Sequence, residues 1–169
     1  IIEKATSTWG NQFPSATGWY LRKLGYNPDD SFYNNKLNFN LITTGGKQVY
    51  LSSVEVPIGE YVHVAATYDG NEGKIFINGI EGTEIWEVIG GGGGDITNND
   101  RSVAFGICRW GQTNDEGIHY SELLDGNIGD IRVFNEALSQ NDIQYYIENL
   151  PLEDEEGLLG YWKFNAGEG

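Results

Sequence analysis

Apolar residues recur along this chain mostly with a period of two, in short runs that turn-forming residues separate. Leu37, Phe39 and Leu41, for example, alternate with asparagines. Because successive side chains of a strand point to opposite faces of a sheet, this alternation predicts a strand with one buried face and one solvated face. Runs of the same kind predict further short strands at residues 18–22, 48–52, 102–108 and 128–134.

The strongest local signal predicts a three-stranded antiparallel meander. Residues 61–68 are rich in β-branched and aromatic side chains, and an Asp-Gly pair then predicts a turn into a second strand at residues 74–77. Asn78-Gly79 is the favoured pair for a two-residue hairpin, because both positions require positive φ. The third strand of the meander is predicted at residues 83–88.

One short helix is predicted near the end of the chain. Ser139 can cap its first turn, with Asp142 as the acidic partner three residues on. Ile143, Tyr146 and Ile147 then form an apolar stripe at helical spacing, and a proline follows.

An unbroken glycine run at residues 90–94 has no side chains to bury. Its high backbone entropy predicts a mobile loop. It does not predict a phosphate cradle, because no Lys or Ser/Thr follows in register and no helix comes next.

The chain is strongly acidic, with 25 acidic and 10 basic residues and a formal net charge of −15. Such a surface repels phosphate backbones and anionic lipids, so we expect neither nucleic-acid binding nor membrane insertion. The length of 169 residues suits one domain. Cys108 is the single cysteine, so no intrachain disulfide can form, and its strand-like flanks predict a buried structural thiol.

Two segments resemble laminin-G-like jelly-roll domains, an architecture that pentraxins share. GEYVHVAATYDG at residues 59–70, followed by GKIFING at residues 73–79, resembles their central hairpin. GNIGDIRVFNEALS at residues 126–139 resembles their penultimate strand and its exit into a short helix. The resemblance implies an all-β fold, a concanavalin A-like sandwich of two antiparallel sheets with one short C-terminal helix. It also implies a secreted or cell-surface location and a binding role.

The order of the segments predicts a tandem array. Residues 157–169 resemble the opening strand of such a domain, whereas the strands that family members place first are not found before Ile1. We therefore expect residues 1–150 to form a sandwich that lacks its first strands, and residues 151–157 to be an acidic linker. Residues 158–169 are expected to open a following repeat, or to pair by strand addition in cis or with a neighbouring molecule.

The loop at residues 110–117 is the candidate ligand site. In pentraxins the matching loop holds calcium through clustered Glu, Gln and Asp side chains, and calcium holds the ligand. The resemblance implies a Ca²⁺ site here with hard oxygen ligands, and these would be Asn114, Asp115 and Glu116 together with Asn11 from another loop. Calcium takes about six to eight oxygens, more than this loop supplies, and the alternative is a solvated polar loop.

Aromatic residues in or beside loops are candidates for stacking on a sugar ring, and these are Trp9, Trp86, Trp110 and Tyr120. The predicted ligand-binding set consists of three of these aromatics, Trp86, Trp110 and Tyr120, and two polar residues of the candidate loop, Gln112 and Asn114. Trp19 and Trp162 lie inside predicted strands and are assigned to the core, which is also the alternative for the others.

Catalysis is not predicted. Glycoside hydrolases of related jelly rolls need paired carboxylates on one strand face, whereas Glu84 and Glu87 are three residues apart and should point to opposite faces. His63 lies within a predicted strand between two valines, and His119 has no evident Ser or Cys partner, so neither suggests a catalytic triad. The leading hypothesis is a non-catalytic extracellular module that binds a glycan or a protein ligand. The alternative is a structural spacer repeat of an adhesin or fibre, which contacts neighbouring repeats or protomers.

Overall fold

The computed structural model describes residues 2–5, 17–25, 31–100, 102–110, 119–152 and 154–164. The elements within these ranges are, in chain order, β1 (Ile2–Ala5), β2 (Gly18–Lys23), a 3₁₀ helix (Ser31–Tyr33), β3 (Leu37–Thr43), β4 (Gly46–Ser52), β5 (Val64–Tyr68), β6 (Gly73–Ile77), β7 (Ile80–Glu81), β8 (Thr83–Gly90), β9 (Ala104–Phe105), β10 (Ile107–Trp110), β11 (His119–Leu123), β12 (Asp130–Phe134), α1 (Gln140–Glu148) and β13 (Leu158–Lys163). The predicted all-β class with one short helix is confirmed.

A six-stranded antiparallel sheet carries the core. Its strand order is β8-β4-β3-β2-β1-β9. Leu21, Phe39 and Tyr50 lie in register across β2, β3 and β4, on the face that we call inner. They form one hydrophobic cluster with Ile75, which belongs to the three-stranded sheet β5-β6-β7. The two sheets therefore pack face to face, as in the predicted sandwich.

The opposite, outer face of the six-stranded sheet differs from the prediction. The asparagines of β3 were expected to face solvent, yet Asn38 and Asn40 are only 5% and 3% exposed. Because β3 is a central strand, Asn40 lies in register between Tyr20 and Val49, whose larger side chains flank it. The Asn38 amide donates a hydrogen bond to the Tyr50 carbonyl, 3.3 Å away.

The predicted meander forms, but its third strand is not the expected one. Asn78 and Gly79 have φ of 50° and 73° and turn β6 into β7, which pairs for only two residues. The next strand, β8, pairs with β4 at the edge of the other sheet. The prediction was wrong about the partner, because an alternating pattern shows that a strand exists but not which strand it joins.

The glycine run is held by hydrogen bonds to the turns of both sheets, whereas a mobile loop was predicted. The Gly91 amide donates to the Gly45 carbonyl over 2.8 Å, and the Gly94 amide donates to the Gly70 carbonyl over 2.7 Å. The Tyr68 hydroxyl donates to the Gly94 carbonyl over 2.9 Å. Gly94 has a φ of 88°, which only glycine adopts without strain.

Helix α1 begins with the predicted capping box. The Ser139 hydroxyl accepts from the Asp142 amide, and the Asp142 carboxylate accepts from the Ser139 amide. Ile143, a residue of this helix, is buried. The Arg132 guanidinium donates to the carbonyls of Tyr146 and Asn149, which ties the helix end to β12.

Strand β13 pairs antiparallel with β12 in the same chain. Ile131 is opposite Trp162, and the Trp162 ring lies 4.9 Å from that of Phe105 at the sandwich edge. The tandem arrangement and the proposed domain limits stay predictions. Over the described ranges, no helix has the length and apolarity required to cross a bilayer.

Candidate ligand-binding site

Most of the predicted loop site lies outside the described residues. This holds for the polar and aromatic candidates Trp9, Asn11, Gln112, Asn114, Asp115 and Glu116. The backbones of Trp110 and Tyr120 belong to the paired strands β10 and β11, but nothing is described of their side chains. The calcium site therefore stays a prediction. Within the ranges that the structure does describe, no three His, Cys, Asp or Glu side chains come together as a metal site.

Trp86, the remaining candidate, lies on a β-bulge within strand β8 and not in a loop. Val49 of β4 pairs with Glu87 and Tyr50 pairs with Ile85, so Trp86 has no opposite residue. A bulge of this kind inserts one extra residue into a strand and redirects its side chain. Trp86 is 50% exposed on the outer face. Bulges are common beside functional sites, which makes this residue the centre of the candidate site.

Two further aromatic residues, from the 3₁₀ helix, hold the Trp86 ring in place. The Trp86 ring centre lies 5.5 Å from that of Phe32 and 5.2 Å from that of Tyr33, the latter in an edge-on arrangement. Phe32 and Tyr33 meet edge-on at 5.2 Å. We call Phe32, Tyr33 and Trp86 the aromatic platform. Such edge-to-face contacts are favourable and fix the orientation of the rings.

Two carboxylates flank Trp86 on the same face. Glu84 and Glu87 are in register with Leu51 and Val49, which both belong to the outer face of β4. The prediction that they point to opposite faces was wrong, because the bulge inserts one extra residue between them. In the sequence the bulge corresponds to a break in the alternation, two adjacent apolar residues at positions 85–86, which was not interpreted as a bulge.

Each carboxylate forms an ion pair with a lysine. Lys36 Nζ lies 2.9 Å from Glu84 Oε2, and Lys47 Nζ lies 2.8 Å from Glu87 Oε2. Lys36 Nζ also lies 4.3 Å from the ring centre of Phe32, a cation–π contact. Sequence reasoning missed both lysines and both 3₁₀-helix aromatics, since only the fold brings them to Trp86.

The arrangement suits binding better than catalysis. A glycosidase needs two carboxyl groups on one face, one of them protonated as the general acid. Glu84 and Glu87 share a face, but both are ion-paired with lysine ammonium groups. What the site offers a ligand is a half-exposed aromatic ring between two hydrogen-bond acceptors.

A second polar cluster lies on β12 and supports structure. Asp130 Oδ2 accepts from Arg132 over 2.7 Å and from the Tyr161 hydroxyl over 3.3 Å. Burial lowers the pKa of the neighbouring His63, and Arg132 lowers it further against the opposing effect of Asp130. His63 Nδ1 is buried and has no hydrogen-bond partner in the described part of the chain.

A family model for the concanavalin A-like lectin/glucanases superfamily, of the laminin G type, matches residues 3–144. The match spans most of the chain, which therefore belongs to this family. Comparisons with curated proteins and with solved structures return no match. The family establishes the class of protein as a binding module built on a lectin-like jelly roll, and domains of this class are generally non-catalytic.

Proposed function

We propose that this domain is a carbohydrate-binding module of a secreted or cell-surface protein, and that the aromatic platform takes the sugar. The observation that carries the proposal is Trp86, a half-exposed tryptophan on a bulge of an otherwise regular strand. A folded monomer gains stability by burying a tryptophan, so an exposed and immobilised ring favours a ligand contact.

The chemistry of the platform matches a sugar ring. One face of a pyranose is apolar and can stack on the indole of Trp86, whereas its edge carries hydroxyl groups. Glu84 and Glu87 can accept hydrogen bonds from those hydroxyls, and bonds to charged acceptors are stronger than neutral ones. Because Phe32 and Tyr33 already fix the indole, little side-chain entropy is lost on binding.

A glycan array with matched variants tests the proposal. We expect Trp86→Ala to weaken binding of the best glycan about tenfold or more, the loss of a contact worth about 1.4 kcal/mol. Trp86→Phe should recover part of the affinity, because it restores an aromatic face. Tyr145→Ala is the control, since Tyr145 is an exposed aromatic of α1 outside the site. Unchanged binding by Trp86→Ala would refute the platform, and a wild-type protein that binds no glycan would refute the function.

Calcium is proposed separately, at Asn114, Asp115 and Glu116 with Asn11. Calorimetric titration should show calcium binding that Asp115→Ala removes. EDTA should then abolish glycan binding only if the ligand also contacts that loop. Calcium binding without an effect of EDTA on the glycan would make the platform and the calcium loop independent sites.

One observation favours the alternative function, a structural repeat that self-associates by strand addition. Within the described ranges β8 pairs only with β4, and its inner-side residues Ile85 and Val88 are exposed. An open edge of this kind is a template for another strand. Concentration-dependent assembly in analytical ultracentrifugation, which Val88→Lys abolishes, would support this function. A monomer at all concentrations would count against it.

A further inference from the structure

We infer that the aromatic platform selects uncharged glycans over glycans that carry carboxylate or sulfate groups, with Glu84 and Glu87 as the specificity-determining residues. The inference rests on the proposed function, because it assigns a ligand class to the same site. Two observations support it. In each ion pair the carboxylate is more exposed than the lysine, and each lysine contacts other groups of the protein.

Both ion pairs present their acid to solvent and bury their base. The Lys36 side chain is 11% exposed and that of Glu84 is 44% exposed. The Lys47 side chain is 14% exposed and that of Glu87 is 41% exposed. A ligand that reaches Trp86 from solvent therefore meets carboxylate oxygens first.

Neither lysine is placed to receive a ligand anion. Lys36 Nζ lies between the Glu84 carboxylate and the Phe32 ring. Lys47 Nζ is bonded to Glu87. Anionic sugars are usually held by Arg or Lys donors that point at the ligand, because charge-assisted bonds of this kind are strong and directional. In this site those donors are largely covered and are engaged by protein groups, whereas the acceptors are more exposed.

Each ion pair is neutral as a whole, but its negative end is the more exposed one, so a ligand meets a dipole with its carboxylate toward solvent. At the rise of a strand, Glu84 and Glu87 lie about 7 Å and about 3 Å from Trp86 along the strand axis. Both are within the Debye length of about 8 Å at physiological salt, so the repulsion of an anionic ligand by these carboxylates, which the paired ammonium groups reduce, is only partly screened. The net charge of −15 adds to it at low salt.

The test compares neutral oligosaccharides with their uronic acid counterparts. The probes are hexasaccharide pairs of the gluco, galacto and manno series, each as the neutral sugar and as the uronate, titrated against the intact chain. In the series that binds, we expect the neutral member to bind about threefold to tenfold more tightly at low salt. Glu84→Gln should reduce this ratio at least twofold, and added salt should reduce it for the wild type.

Glu148→Gln is the matched control, because Glu148 is an exposed acid on α1 outside the platform. It removes the same charge and should leave the ratio unchanged. Circular dichroism of each variant shows that the fold is retained. A uronate that binds as tightly as the neutral sugar in a Trp86-dependent manner would overturn the inference and leave the proposed function intact. A ratio that Glu84→Gln and Glu148→Gln change equally would overturn Glu84 as one of its determinants. Glycan binding that Trp86→Ala leaves unchanged would overturn the platform and the inference, and absence of all glycan binding would overturn the proposed function as well.

Discussion

Strands β3 and β8 belong to one sheet and have similar patterns, but their surroundings differ. Both mix aliphatic or aromatic residues with polar ones, strictly alternating over residues 37–41 of β3 and with adjacent apolar pairs at 85–86 and 88–89 of β8. All seven residues of β3 are buried, whereas none of the eight residues of β8 is. The difference follows from position, because β3 has a neighbouring strand on each side and β8 pairs only with β4 among the described residues. Burial of a strand in this sheet therefore depends on where the strand lies as well as on its pattern.

The edge position is also what permits the candidate site. A bulge disrupts the ladder with each neighbour, so it is tolerated best in a strand that has only one. In β8 the bulge exposes Trp86 and brings Glu84 and Glu87 to one face. The same insertion in β3 would break its pairing with β2 and β4. The centre of the sheet thus provides stability, and its edge provides the exposed surface at which we propose recognition.

The largest expected effect is the difference in the free energy of unfolding lost when an apolar side chain is truncated in β3 or in β8. Leu41 is fully buried on β3, while Val88 is 49% exposed on β8, and both lie in one row across the inner face. We expect Leu41→Ala to lower the free energy of unfolding by about 3 kcal/mol, because it leaves a cavity in the core. Val88→Ala should lower it by less than about 1 kcal/mol. Chemical denaturation measures both, and equal losses would show that β8 is covered in solution.

Much of the fold could be predicted from periodicity alone. The alternation of Leu37, Phe39 and Leu41 predicted β3 and its inner face, and the Asn-Gly pair predicted the turn after β6. Periodicity could not show that Asn38 and Asn40 would be buried, because it reports the two faces of a strand and not what covers each face. It also could not show that β8 would leave the meander, because the partner of a strand is set by tertiary contacts.

The candidate site was predictable only in part. Trp86 was identified by its type, whereas the bulge at which it lies was not predicted. Phe32, Lys36 and Lys47 lie 39 to 54 positions before Trp86 in the sequence and reach it only through the fold. The calcium prediction came from resemblance to a loop that lies outside the described residues, so it stays a prediction.

The buried asparagines of β3 give the next largest effect. Asn40 Oδ1 has no hydrogen-bond partner in the part of the chain that the structure describes, whereas the Asn38 amide donates to the Tyr50 carbonyl. We expect Asn40→Leu, which is similar in shape, to raise the free energy of unfolding by about 1 kcal/mol, because it removes an unsatisfied buried group. Asn38→Leu should lower it by about 1 kcal/mol. Destabilisation by Asn40→Leu would show that this oxygen has a partner.

The pH dependence of the free energy of unfolding that His63 causes should be a smaller effect. Burial and Arg132 lower the pKa of His63, so the folded state binds this proton more weakly than the unfolded chain. The unfolded chain takes up the proton as the pH falls below about 6.5, and stability is lost from there down to the folded pKa. Unfolding of wild type and of His63→Gln should therefore be compared at about pH 7.5 and about pH 5.5. The variant should lose less stability over that interval, and an equal loss would exclude His63 as the cause.

The smallest expected effect tests whether the ion pair between Lys47 and Glu87 behaves as an exposed or as a buried pair. Its lysine is mostly covered while its carboxylate is 41% exposed, so the two side chains suggest opposite answers. Because water reaches the acid, we expect the coupling energy from a double-mutant cycle of Lys47→Met and Glu87→Gln to be about 0.5 kcal/mol. It should vanish in about 1 M salt, where the Debye length is only about 3 Å. A coupling of several kcal/mol that salt does not change would mean that the pair is buried, and it would contradict an outward-facing Glu87 at the aromatic platform.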